Sequence, residues 1–211
     1  MKKVIVFLAA FTALCSLCGL AYATQVYSKG LTLDRISNDA DIIVYGTCVD
    51  AKTIAPDNRS TIMSSQTIYT FKIDSIIKDP SNKYKEGDDF QFTVRNIRGM
   101  PAYSKGNEHL LFLTPESASG VRAPVALVKF DVVKTPDGTA KIRSSLSSQL
   151  LFKDLLARKP ALKTVLSDTE RETISIASPN TNEVDFGNFL GIVKKLQPTV
   201  IKIDSKLKRG N

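Results

Sequence analysis

One histidine and three cysteines are the side chains best suited to acid–base or nucleophilic chemistry in this 211-residue chain. His109 follows Glu108 directly and opens an apolar run, Leu110-Leu111-Phe112-Leu113. A histidine beside a carboxylate has the make-up of a general base, the group that moves a proton during catalysis. The apolar run favours a simpler assignment, a strand residue at the rim of a sheet. Cys48 sits in the apolar stretch 42–49, where a thiol is expected to act as a small buried hydrophobe. A Cys48–His109 dyad would need the fold to bring the two together, and no local pattern links them. Cys15 and Cys18 lie in the N-terminal segment discussed below. One histidine and one remaining cysteine cannot assemble a zinc site of the usual His/Cys kind. No metal and no cofactor is expected.

Carboxylates are the other route to chemistry. Asp39 with Asp41, and Asp88-Asp89, are the closest pairs. Paired carboxylates serve glycoside hydrolysis or bind calcium. The calcium-loop pattern of acidic residues at alternate positions followed by glycine is missing. The first pair reads as a turn from helix to strand, the second as the start of a strand. Neither G-x-x-x-x-G-K-[ST] nor G-x-G-x-x-G occurs. No catalytic residue is therefore assigned. The alternative is a hydrolase of envelope or glycan substrates working through carboxylates, for which Glu108 and His109 are the residues to replace.

The segment 94–106 is the candidate ligand-binding loop. It holds Arg95, Arg98, Tyr103 and Lys105 around Gly99-Met100-Pro101. Cations beside an aromatic ring suit contact with a nucleic acid or a glycan.

These residues are positioned by elements that the apolar spacing defines. A short helix is expected over 31–36, with Thr32 as cap and Leu33 and Ile36 inward. A β-branched strand follows over 42–49, and Gly46 inside it marks a bulge. In 67–77, Tyr69, Phe71 and Ile73 alternate with polar residues, the mark of a half-buried strand. Phe90, Phe92 and Val94 make a third strand and 109–113 a fourth. A fifth is expected over 125–134, turning at Pro136-Asp137-Gly138 into a sixth over 140–143. Leu150, Leu151, Leu155 and Leu156 then recur at helical spacing, and 160–166 suits a further short helix. Asp185 caps a last helix with Phe186, Phe189, Leu190, Val193 and Leu196 on one stripe, ended by Pro198.

The first 23 residues bear on location. Met1-Lys2-Lys3 precedes an uncharged apolar run, 4–20, which closes on Ala21-Tyr22-Ala23. That is the pattern of a secretory signal cleaved at Ala23/Thr24. The run is barely long enough to span a bilayer and ends in small residues rather than charges. A periplasmic or secreted protein is expected, with no transmembrane segment in the mature chain. The expected organisation is a signal at 1–23, one domain at 24–197 and a basic polar tail at 198–211. Without Lys2 and Lys3 the formal net charge falls from +8 to +6. The cations are scattered apart from Lys202, Lys206, Lys208 and Arg209 in the tail. A solvated basic surface is the simpler reading and a polyanion partner the sharper one. Export argues against nucleic acid.

Four stretches carry a resemblance. They are Ala40-Asp41-Ile42-Ile43-Val44-Tyr45-Gly46-Thr47, Tyr69-Thr70-Phe71-Lys72-Ile73, Lys105-Gly106-Asn107-Glu108-His109-Leu110-Leu111-Phe112-Leu113 and Val184-Asp185-Phe186. Together they resemble a loose group of exported, mostly uncharacterised bacterial proteins. That group is similar in turn to the OB-like barrels of netrin modules and tissue inhibitors of metalloproteases. The resemblance covers nearly all of 31–196 and implies a mostly β or α+β fold. It implies an OB-like antiparallel barrel of five or six strands, a short N-terminal helix and C-terminal capping helices. It carries no functional residue. The inhibitors grip zinc with a disulfide-bonded N-terminal cysteine. Here the mature start is Thr24 and one cysteine remains. The expectation is an exported, non-enzymatic binding or interaction domain of the cell envelope. Its partner would be another envelope or secreted protein.

Overall fold

The computed structural model describes residues 30–56 and 64–197. The expected signal segment, Pro198 and the basic tail lie outside the described residues. The elements run α1 (Leu33–Asp39), β1 (Ile42–Ile54), β2 (Gln66–Lys78), β3 (Asp89–Arg95), β4 (Glu108–Leu113), β5 (Phe130–Lys134) and β6 (Ala140–Ser144). They continue with α2 (Ser148–Phe152), α3 (Leu155–Arg158), α4 (Leu162–Val165), α5 (Asp168–Ser175), β7 (Glu183–Asp185) and α6 (Phe186–Leu196). The fold is mostly antiparallel sheet with several helices, as the strand and helix patterns predict.

The seven strands form one sheet in the order β3-β2-β1-β4-β5-β6-β7. That sheet does not close on itself; its ends are β3 and β7. The segment 121–124 touches two otherwise separate strands, through bridges from Val121 to Thr93 of β3 and from Pro124 to Leu113 of β4. The β4–β5 pairing is a narrow waist of two residue pairs, Glu108 with Val132 and His109 with Asp131.

Two cores lie on opposite faces of the wall made by β1 and β4. On one face Ile42, Val44, Cys48, Tyr69, Phe71, Ile73, Phe90, Phe92, Val94, Tyr103, Leu111 and Leu113 form an aromatic-rich core. On the other, Leu33, Ile36, Ile43, Leu110 and Phe112 join Phe130, Ile142 and the inward residues of the helices. Successive side chains of a strand point to opposite faces. A strand walled on both faces must therefore be apolar where both walls cover it, and β4 is so over Leu110–Leu113. Along β1 the alternation would fail at Gly46, where the pairing with β2 shifts register. A Cβ there would lie 2.3 Å from the Lys72 carbonyl oxygen, so only glycine fits the bulge.

Several expected elements differ in detail. Helix α1 runs on to Asp39, because Lys78 Nζ donates to the Ser37 (3.3 Å), Asn38 (3.4 Å) and Ala40 carbonyls at its C-terminal end. Thr32 holds the N-cap position, but its side chain makes no capping bond. The strand expected from residue 125 starts at Phe130 instead. Ala126 and Leu127 take left-handed φ angles of 53° and 56°, and that turn buries Val125 and Val128 in the helical core. Two elements go beyond the expected set, β7 and α5. Ser167 and Glu170 form a reciprocal capping box at the start of α5.

Candidate functional site

His109 faces the aromatic core and is 0% exposed. Its ring lies edge-on to Tyr103 at 5.0 Å and to Phe71 at 5.8 Å. Nδ1 lies 2.8 Å from Asp131 Oδ1, and Lys129 Nζ lies 3.0 Å from the same oxygen. Neither ring nitrogen makes a well-directed hydrogen bond among the described residues. Burial pushes the Asp131 carboxyl up, but His109 and Lys129 outweigh it and hold it below the usual carboxylate range. The imidazole reaches no solvent, so a substrate could meet it only after the core opened.

Glu108 points to the other face of β4. Tyr45 Oη donates to Oε2 at 2.5 Å, and Lys134 Nζ donates to Oε1 at 2.6 Å. Lys134 first, and Tyr45 second, hold the Glu108 carboxyl below its ordinary value. Burial and the neighbouring Glu108 push the Tyr45 phenol up. With both oxygens engaged, Glu108 closes the waist between β1, β4 and β5 and is a weak proton acceptor.

Cys48 is buried, and its thiol donates to the Asp50 carbonyl at 3.6 Å, not to His109. Burial pushes that thiol up, away from the reactive thiolate. The paired carboxylates are separately engaged. Asp41 accepts from Arg122 at 2.9 Å, Asp88 from the Lys85 N–H at 2.9 Å, and Asp89 faces Lys72 at 3.8 Å. Among the described residues no group of three or more His, Cys, Asp or Glu is placed to hold a metal ion.

The loop 94–106 divides. Arg95, Arg98 and Lys105 are exposed. Tyr103 is the correction: it is 5% exposed, with its ring among Tyr69, Phe71, Phe92 and His109. The ring therefore anchors the loop on the core and offers no stacking surface to a ligand. Three separate cations remain there, without the aromatic partner that motivated the reading.

A site the spacing does not reveal lies on the helical side. Helices α3 and α4 and the end of α6 enclose a groove of about 560 Å³. Its apolar lining is Pro160, Ala161, Leu162, Val165 and Leu196, and its cations are Arg158, Lys159, Lys194 and Lys195. Leu162 and Leu196 belong to the core below, while Val165 is 53% exposed. Two of the cations are already matched. Arg158 donates two bonds to Asp34, at 3.1 and 2.8 Å, tying α3 to α1. Lys195 donates to Glu170 at 2.5 Å, tying α6 to α5. Burial raises both carboxyls, but Arg158 brings Asp34 below its usual value and Lys195 does the same for Glu170. Glu170 reaches Lys195 across Gly191, where a Cβ would lie 2.1 Å from its Oε1. Lys159 and Lys194 make no side-chain hydrogen bond or ion pair among the described residues. The groove thus combines an apolar floor with two unneutralised cations. Lys194 stands in the last turn of α6, where the helix dipole favours a cation.

A second cleft, of about 360 Å³, lies between α5 and the start of α6. Its charges are mixed, Lys141 against Glu172, Glu183 and Asp185. No helix among the described residues is long and apolar enough to cross a membrane. No protein-family model matches the chain, and no curated protein matches it.

Proposed function

We propose that this protein is an exported, non-enzymatic binding domain of the cell envelope whose α3–α4–α6 groove takes an anionic amphiphile. The observation that carries the reading is the pairing of Lys159 and Lys194 with an apolar floor that includes half-exposed Val165. An apolar pocket with few convergent polar groups is the usual form of a small-ligand site. A negatively charged head would meet the two lysines while its chain covers Pro160, Ala161 and Val165. The location rests on the Met1-Lys2-Lys3 to Ala23 pattern. The OB-like reading of β1 to β4 is supported by the two bridges of segment 121–124.

Titration calorimetry with dodecanoate below its micelle concentration tests the ligand class, with dodecyl maltoside as the uncharged control. Binding of dodecanoate alone is expected, and the Lys159→Glu/Lys194→Glu double variant should lose at least about tenfold in affinity, two charge contacts being reversed. Equal binding of both amphiphiles, or full binding by the double variant, overturns the reading. Heparin binding that falls steeply with salt, with no dodecanoate binding, would assign a polyanion partner instead.

A further inference from the structure

The strand β1 is paired unequally on its two sides. With β2 it pairs from Ile43 to Ile54. With β4 it pairs only from Ile42 to Thr47, followed by backbone bonds between Cys48 and the 106–107 turn. Beyond that point residues 50–54 are all exposed, and they make no backbone bond on the side away from β2 among the described residues. Alternate residues of a strand turn their N–H and C=O groups to each side, so this is a free edge that can accept another strand.

Its side chains select the occupant. Asp50 and Lys52 are two apart and share one face of the strand. Neither side chain has an ion-pair partner among the described residues. We infer that this edge pairs antiparallel with the same edge of a second copy of the chain, about a two-fold axis at Ala51. In that register Asp50 of each copy lies opposite Lys52 of the other, so both charges of both strands are matched. The neighbouring symmetric registers are each opposed. An axis at Asp50 sets carboxylate against carboxylate, and an axis at Lys52 sets ammonium against ammonium. Directly opposed like charges destabilise a strand pair and opposite charges stabilise it. A symmetric, self-complementary contact of this kind closes at two copies. The inference is independent of the groove on the helical side.

Sedimentation equilibrium tests it. The full coding sequence is expressed and the protein purified in the processed form the host yields. A concentration-dependent monomer–dimer equilibrium is expected for the wild type. Asp50→Lys and Lys52→Asp should each weaken it by about tenfold or more, since two matched pairs become repulsive. The double variant D50K/K52D should recover it. An equimolar mixture of the two single variants should form a heterodimer, because one now carries two cations and the other two anions. Circular dichroism confirms that the variants are folded. A wild type that stays monomeric at about 1 mM, single variants that dimerise as the wild type does, or a mixture that stays as monomeric as its components would each overturn the inference.

Discussion

The two cores on either side of the β1–β4 wall are built in opposite ways. The aromatic core draws its residues from 42–113, mostly from the β1-β2-β3 meander and the loop that covers it. Of its ionisable side chains, Cys48, Tyr69, Tyr103 and His109 are all buried. The helical core gathers α1 from one end of the described chain and α2 to α6 from the other. Its seams are fastened by ion pairs, Arg158 with Asp34 across 124 residues and Lys195 with Glu170 across 25. A core made from one contiguous meander is held mainly by the ladders of its own strands. A core assembled from short helices has few such bonds between its parts, and side-chain pairs take their place.

The largest effects should come from the largest buried rings. Phe71 and Phe189 are both 0% exposed, one in each core. Replacing either with alanine should cost about 3–5 kcal/mol in thermal or denaturant unfolding. The comparison is sharpened by amide exchange. Phe71→Ala should release β2 and β3, and Phe189→Ala should release the helices while β1 to β3 stay protected. Uniform loss of protection in both variants would show that the two cores are one unit. Gly46→Ala comes next. It forces a Cβ onto the Lys72 carbonyl, and unfolding measurements should show a loss of about 1–3 kcal/mol.

Acid should loosen the seams of the helical core. Asp34 and Glu170 are held below their ordinary values of 3.8 and 4.5 in the folded protein. The unfolded chain therefore binds their protons first as pH falls. The stability they contribute is complete above those ordinary values and is lost as pH drops through the lower folded ones. Unfolding followed between about pH 5 and pH 2 should show the α1–α3 and α5–α6 contacts weakening as these two carboxyls take up protons. Arg158→Ala should cost about 1–2 kcal/mol at neutral pH, leaving the nearly buried Asp34 without its bonds, and should flatten that acid slope. A slope unchanged in Arg158→Ala would place the acid sensitivity elsewhere. The smallest effect is expected at the exposed Lys72–Asp89 pair, 3.8 Å apart. Asp89→Ala should change stability by less than about 0.5 kcal/mol.

The same contrast explains what could be read from the sequence. The alternation of Tyr69, Phe71 and Ile73, the run 109–113, the bulge at Gly46 and the hairpin at Asp137-Gly138 are local patterns, and each became structure where the pattern lay. Asp185 caps α6 through a bond from the Asn188 N–H, as its position suggests. In α6 the buried stripe includes Ile192, which the expected set omitted, while Phe186 and Leu190 sit at its margin. The Ser167-x-x-Glu170 box was legible and would have located α5. The groove was not legible. Lys159 and Lys194 stand 35 residues apart in the sequence, and nothing local in either one's surroundings marks it as a rim residue. Tyr103 misleads for a related reason. A tyrosine between cations in a Gly–Pro loop looks like a contact residue, and only the folded meander shows that its ring fills the core.

The waist of two residue pairs between β4 and β5 also sets an order of events for a chain made from its N-terminus. When residue 113 has emerged, all four strands of the meander and its loop are present, so the aromatic core can assemble from near neighbours in sequence. Helix α1 has no such option. Leu33 and Ile36 belong to a core completed by Phe189, Ile192 and Val193, and closing so long a loop is the slow kind of contact. Throughout that interval α1 is made but its core is incomplete, with Ile43, Leu110 and Phe112 the members from β1 and β4 already present. The apolar side of α1 is the surface a chaperone would meet first, and synthesis must run more than 150 residues further before the chain itself can cover it in full.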